Sequence, residues 1–269
     1  MDLWLLYLLI FVLGLCIGSF LNVLIYRLPL SLSLGGRSFC PKCKKKISWY
    51  DNIPLVSFIL LRGKCRHCHS PISWQYPMVE LLTGILVLGV SLRVLGGIRD
   101  VGGIGGWIEL VYLLFLVSAL IVIFFVDLKH EIIPDSLVYP TIVLTVVFLI
   151  FNQQSAINNQ QLPLTNNLIT SFVSGLFFLA LYLVTRGRGM GFGDVKFAFL
   201  MGLVLGFPNI LLALYGAFLT GAILGVILIL IRRKRFGMHI PFGPFLAFWT
   251  LIALFWGKEI LEWISARYF

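Results

Sequence analysis

Eight apolar runs, 13 to 23 residues long, are separated by polar or glycine-rich breaks, and they restrict this chain more than anything else in it. A hydrocarbon core about 30 Å thick takes about 20 apolar residues per crossing helix. The runs at Leu3–Ile25, Met78–Leu95, Ile108–Val126, Leu137–Phe151, Leu168–Thr185, Val195–Phe207, Ile210–Ile231 and Phe245–Ile264 therefore predict helices in a bilayer. Open strands would leave backbone polar groups unsatisfied in lipid, so the expected class is all-α and polytopic, with about eight transmembrane segments. The sixth run is cut short by "GFPN" at Gly206–Asn209, which places it at or below spanning length. The first run lacks a basic n-region and a small-residue cleavage site, so it reads as a retained span.

Composition agrees, with 59% hydrophobic and 12% charged residues, a ratio that excludes a soluble globular domain. The net charge of +10 does not point to nucleic acid, because no basic–aromatic groove motif is present and the cations sit in loops beside apolar runs. Threading the runs alternately puts 16 of the 21 Lys and Arg residues in four loops on one side, including "RRKR" at Arg232–Arg235. The positive-inside bias makes that side cytoplasmic and the N-terminus external. "GGIGG" at Gly102–Gly106 falls outside, does not fit a dinucleotide-binding fingerprint, and reads as a turn.

The first cytoplasmic loop carries Cys40-x-x-Cys43 and, after 21 intervening residues, Cys65-x-x-Cys68. Each pair makes a tight knuckle that aims two thiolates at one ion, and two knuckles complete a tetrahedral four-sulfur site of the kind zinc favours. With no open coordination position, such a metal holds the fold and leaves chemistry to other groups. A disulfide pair or idle thiols are the alternatives, and a cytoplasmic location disfavours stable disulfides. His67 and His69 read as surface residues, and Cys16 as a packing residue of the first span. The expected organisation is a first span over 1–26, a cytoplasmic zinc-binding domain over 27–77 and a transmembrane catalytic core over 78–269.

Ionisable groups near a bilayer are costly and therefore informative. Glu80, Asp127, Glu131, Asp135 and Asp194 lie near the spans on the cytoplasmic side. Asp127 ends the third span in "FFVDLKHEIIPD", and Asp194 opens the sixth behind the glycine-rich "RGRGMGFGD". The threading gives both the same depth, so two helices could bring them face to face. Two carboxylates about 3 Å apart share one proton. The ionised member can then deprotonate an attacking water, and the protonated one can serve the carbonyl oxygen and the leaving amine. Capping is the alternative use for Asp194, and span termination for Asp127. "HEIIP" at His130–Pro134 lacks the second histidine of a zincin motif. A transporter with a proton relay would also use buried acids, though it gives no reason for the paired cysteines; a zinc-dependent scaffold gives none for the aspartates.

At this point the chain resembles the bacterial type IV prepilin peptidases, the leader peptidase and N-methyltransferase enzymes of the GxGD aspartyl-protease group. The matching text includes "GSFLNVLIYRLP" at Gly18–Pro29, the paired cysteine loop, and "NIPLVSFILLRGKCRHC" at Asn52–Cys68. It continues with "ISWQYPMVELLTG" at Ile72–Gly84, "DLKHEIIPD" at Asp127–Asp135 and "GFGDVK" at Gly191–Lys196. The resemblance implies Asp127 and Asp194 as the catalytic pair, with Gly191 and Gly193 as the flexible approach to the second aspartate. It also implies removal of a basic leader from prepilins or pseudopilins, of type IV pili or type II secretion, on the cytoplasmic side of the bacterial inner membrane. The new N-terminus would then be methylated from S-adenosylmethionine, with Glu80 and Gly84 as candidate methyltransferase residues. Glu80 can equally be a helix-start acid facing other helices.

Overall fold

The computed structural model describes residues 3–97, 104–151, 164–187, 189–231 and 241–268. Within these, nine α-helices carry the fold: α1 (Leu3–Arg27), α2 (Val56–Leu60), α3 (Gln75–Gly97), α4 (Ile104–His130), α5 (Asp135–Phe151), α6 (Leu164–Val184), α7 (Phe192–Leu205), α8 (Asn209–Leu230) and α9 (Gly243–Tyr268). A 3-10 turn spans Trp49–Asn52, and extended pairing among the described residues is limited to two isolated bridges. The basic run Arg232–Arg235 and the glycines Gly102 and Gly103 lie outside the described residues.

Every apolar run is a helix. Six of them (α1, α3, α4, α6, α8 and α9) are long and apolar enough to cross a bilayer, which makes this a multi-pass membrane protein. The other two are shorter, α5 with 17 residues and α7 with 14. At 1.5 Å per residue α7 reaches only about 21 Å, short of the hydrocarbon core. Helix ends also run past the apolar stretches. The third run was expected to stop at Val126, but α4 continues to His130, where Lys129 and His130 lie in the last turn and complement the helix dipole. Asp127 is therefore inside the helix and does not terminate it.

Two compact units make up the chain: Met1–Gly102 with Leu113–Val122, and Gly103–Tyr112 with Ile123–Phe269. In the first, α1 and α3 cross at glycines. A Cβ on Gly14 would lie 2.8 Å from Gly84 Cα, and one on Gly18 would lie 2.7 Å from Glu80 Cα. Small residues permit that approach, which is how helices associate where lipid removes the hydrophobic drive. Cys16, expected to pack, lies on the exposed face of α1.

In the second unit α7 is the buried element, with ten of its 14 residues buried. It packs chiefly on α6 through side-chain donors reaching main-chain acceptors: Asn167 Nδ2 to Leu203 O at 2.9 Å, Ser174 Oγ to Ala198 O at 2.9 Å and Asn166 Nδ2 to Phe207 O at 3.0 Å. The break at Gly206–Asn209 appears as expected, with Gly206 in the left-handed region (φ 61°) that glycine enters readily at a helix end. Exposed Leu211, Tyr215 and Val226 on α8 give that helix an apolar outer face suited to lipid.

Candidate active site

Asp127 and Asp194, 67 positions apart in sequence, line one cavity of about 670 Å³ in the second unit. Its wall is completed by the Glu131–Asp135 turn after α4, by the glycine loop before α7, and by Pro241 and Phe242 before α9. Both aspartates are buried, at 5% and 7% exposure. A carboxylate held that far from water without a cation is costly unless other groups serve it. Asp194 is served in part, since its Oδ2 accepts the Gly191 backbone N–H at 3.1 Å. It occupies the third helical position of α7, with Gly191 at the N-cap, so capping is real but falls one turn further in than an N-cap aspartate would. Asp127 is served less: its buried Oδ2 makes no hydrogen bond of good geometry among the described residues, although the Gly243 backbone lies close enough to interact with the carboxyl group.

Two close approaches shape the site, and the sequence reading missed both. A Cβ on Gly243, at the start of α9, would lie 2.6 Å from Asp127 Oδ2. Only glycine lets that backbone reach the carboxylate. The one signal for it was "PFGP" at Pro241–Pro244, a turn-forming stretch just before an apolar helix. The second is Gly193, whose added Cβ would lie 3.1 Å from Ile133 Cβ, so the first turn of α7 sits tightly on the turn after α4. Gly191 has an extended φ of −77° and Gly193 lies within α7. Of the loop glycines it is Gly187 that occupies the left-handed region, at φ 72°. Lys196 joins the same wall, ion-paired with Asp135 at the start of α5.

In the first unit the four cysteines converge, with their sulfurs all within 4.8 Å of one another and Cys40 Sγ 3.8 Å from Cys68 Sγ. Four sulfurs about 2.3 Å from a central ion stand about 3.8 Å apart, so the cluster could hold a metal ion. The two knuckles repeat one hydrogen-bond pattern. Cys40 N donates to Lys45 O and Lys44 N to Cys40 O; likewise Cys65 N donates to Ser70 O and His69 N to Cys65 O. Lys44 and His69 are both left-handed (φ 58° and 53°), which marks His69 as a turn residue; no histidine joins the cluster among the described residues.

The thiol electrostatics also call for a cation. Hydrogen bonds from Ser70 hold the Cys68 thiol down to about 6, and a backbone bond at Cys43 lowers Cys40. For Cys43 a backbone bond at Lys45 lowers the thiol, but desolvation and the other three cysteines push it up to about 11. All four cannot ionise together without a positive ion between them. Around them Arg66 clasps Asp51 through Nε–Oδ2 at 2.8 Å and Nη2–Oδ1 at 2.6 Å, holding that carboxyl below its usual range. Buried Arg27 donates to the carbonyls of Ser33, Gly35 and Arg37.

Glu80 is buried on α3 and its Oε2 accepts the Leu55 N–H at 2.8 Å, tying the helix to the loop. One turn away on the α1–α3 contact, Asn22 donates to Tyr76 O while its own Oδ1 is buried and unpartnered among the described residues. Gly84 has a packing role: a Cβ there would lie 2.8 Å from the Phe11 ring.

Comparison with known proteins matches two family profiles to the chain: "Bacterial Peptidase A24 N-terminal domain" over residues 12–94 and "Type IV leader peptidase family" over residues 114–226. Proteins called "Prepilin leader peptidase/N-methyltransferase" are similar along nearly their whole length. The one from Legionella pneumophila is 35% identical, covering 97% of this chain and 94% of its own. The one from Aeromonas hydrophila is 36% identical over 98% and 96%, and that of Pseudomonas aeruginosa 32% over 92% and 89%. No solved structure matches the chain.

Proposed function

This chain belongs to the type IV leader peptidase family, and from that premise we propose that it cleaves the leader from prepilin-type precursors with Asp127 and Asp194 and then methylates the new N-terminus. The carrying observation is the pair of buried aspartates on the wall of one cavity. A peptide entering there meets two carboxyl groups that together hold one proton. The ionised one takes a proton from water as the oxygen attacks the amide carbon. The protonated one donates a hydrogen bond to the carbonyl oxygen and then its proton to the departing amine. The Asp127 carboxyl group, packed against the Gly243 backbone on one side and lining the cavity on the other, is placed to receive the water's proton or the substrate's donor. The first turn of α7, entered through the glycines Gly189 and Gly191, is the part of the site that would carry Asp194 toward Asp127 when substrate is bound.

The Cys40, Cys43, Cys65 and Cys68 site takes zinc, which closes all four coordination positions and fixes the loop domain of residues 27–77. S-adenosylmethionine, when bound, supplies a methyl group to a nucleophilic amine. The groups fitted to hold that amine are the Glu80 carboxylate on α3 and the orphaned Oδ1 of Asn22 on α1, whose amide bonds Tyr76 O one turn before Glu80. Gly84 acts through the α1–α3 approach. The positive-inside bias supports a cytoplasmic position for the aspartates and the zinc loop, in a bacterial inner membrane, where they would meet precursors with a basic leader and an apolar helix.

The test is mass spectrometry of a candidate prepilin incubated with membranes containing the wild type, Asp127→Asn or Asp194→Asn. It reads both the new N-terminus and an added 14-dalton methyl group, a mass expected from general chemistry of about one CH₂. Near-normal cleavage by either variant would sink the dyad.

A further inference from the structure

The loop between α1 and α3 carries an apolar face that the cleavage chemistry does not use. Within residues 53–60, Ile53, Val56, Ile59 and Leu60 are exposed, Ile59 at 72% and Leu60 at 75%. Trp49 just before them and Trp74 just before α3 are exposed as well. So many large apolar side chains turned outward from one short segment mark a binding surface.

Two contacts set the depth of this face. Leu55 N donates to Glu80 Oε2 at 2.8 Å, and the Phe58 ring packs on the Trp74 ring with centroids 5.0 Å apart. Glu80 lies five residues into α3, whose apolar span begins at Gln75, and it packs against Gly18 of α1. Beyond Gly18 the apolar run of α1 continues for seven residues to Ile25, about 10 Å of helix. The segment is therefore held level with helix turns that already lie within the apolar zone.

The surroundings identify the occupant. On α3, exposed Met78, Leu81, Leu82 and Ile85 recur at helical spacing and form one outward stripe leading on from Trp74. That stripe belongs to a helix apolar enough to span a bilayer, so lipid covers it. A protein seated on the neighbouring segment would have to share the face with that lipid. Exposed Arg62 and Lys64 follow the segment directly and can reach headgroup phosphates. Aliphatic side chains, flanking indoles and adjacent cations are what a segment lying in a bilayer interface requires.

We infer that residues 53–60 are immersed in the phospholipid interface beside the first turns of α3, with Trp49 and Trp74 at headgroup level. The cysteine loop is then held to the bilayer by a third attachment besides its two flanking helices. This attachment is independent of the peptidase reading.

The test uses the full, unaltered chain in phosphatidylcholine nanodiscs doped with a phospholipid that carries a photoactivated diazirine near the top of its acyl chain. Peptide mass spectrometry then reads where lipid is attached. Adducts should appear on residues 53–60 as well as on the 78–85 stripe. They should be about tenfold rarer around exposed Lys44 and Lys45, whose charges stay in water. Ile59→Gln combined with Leu60→Gln changes two surface positions and should lower the 53–60 adducts about tenfold, because an amide resists leaving water. Adducts on 78–85 should stay as in the wild type, which checks that the fold is kept. Adducts on 78–85 with none on 53–60 in the unaltered chain overturn the inference, as does a double variant labelled like the wild type. Adducts on 53–60 that an added prepilin-like peptide abolishes also overturn it, by assigning the face to a protein.

Discussion

The cysteine knuckles and the aspartate cavity are built in opposite ways. In the knuckles each half is local: six residues, one repeated hydrogen-bond pattern and one left-handed residue aim two sulfurs inward. Only the pairing of the halves is long-range, and a metal ion would complete it. The cavity has no local half. Asp127 comes from the last turn of α4 and Asp194 from the first turn of α7, and neither positions the other through nearby sequence. Bound metal would satisfy the sulfurs completely, whereas Asp127 keeps a buried oxygen unmet. A closed donor set suits architecture, and an unmet one suits a group that must receive something from a substrate.

The contrast predicts different responses to damage. The largest effect is expected at the dyad: Asp127→Asn or Asp194→Asn should lower leader cleavage by about 10³-fold or more, as loss of a paired acid–base group does. Folding, followed by detergent melting, should be largely kept. Gly243→Ala should come next. Its methyl group would meet Asp127 Oδ2 at 2.6 Å, so the carboxylate or the start of α9 must shift. A displacement near 1 Å costs about 10²-fold in rate, measurable as kcat in the same cleavage assay. A Gly243→Ala enzyme of normal activity would show that the close approach has no part in placing Asp127.

Metal removal should divide the two regions. A strong chelator, or Cys65→Ser, should release about one equivalent of zinc by atomic absorption and open residues 38–72 to protease. Leader cleavage should persist in a sample whose transmembrane helices remain folded. Immediate loss of cleavage with those helices intact would assign the metal to chemistry. The smallest effect is expected at Arg66→Ala, which removes an exposed pair to Asp51. Because the pair depresses the folded-state value of Asp51, its contribution is present above the unfolded carboxylate range and fades as pH falls below about 4. Melting curves of wild type and Arg66→Ala should therefore differ slightly at pH 7 and converge in acid.

These differences also explain what the sequence could disclose. Cys40 to Cys68 were legible because ligand spacing is itself the geometry of a knuckle. Eight helices were legible because a bilayer tolerates little else. Apart from the family resemblance, Asp127 and Asp194 could be paired only through sidedness, which gives depth but no approach. Gly243 and Ile133 carried no chemistry of their own, so nothing in their identity pointed to the cavity; what marks them is distance to a residue remote in sequence. The spans of α4 and α5 were drawn short at the ends that meet at the cavity, because polar residues such as Lys129 and Asp135 extend a helix through dipole and capping effects that hydropathy does not register.

The grip of α6 on α7 has a consequence for how this molecule can change over time. Asn167 and Ser174 hold α7, and Asn166 the turn just after it, by main-chain carbonyl oxygens. Carbonyls are supplied by every amino acid, so those three attachments place no demand on which side chains α7 carries at the gripped positions. Mutational drift should fall unevenly on the two partners, with α6 intolerant at its polar positions and α7 limited at Ala198 and Leu203 only by the space their buried side chains fill. A helix held in that way can change an exposed residue of the cavity wall, such as Phe192, without losing its berth.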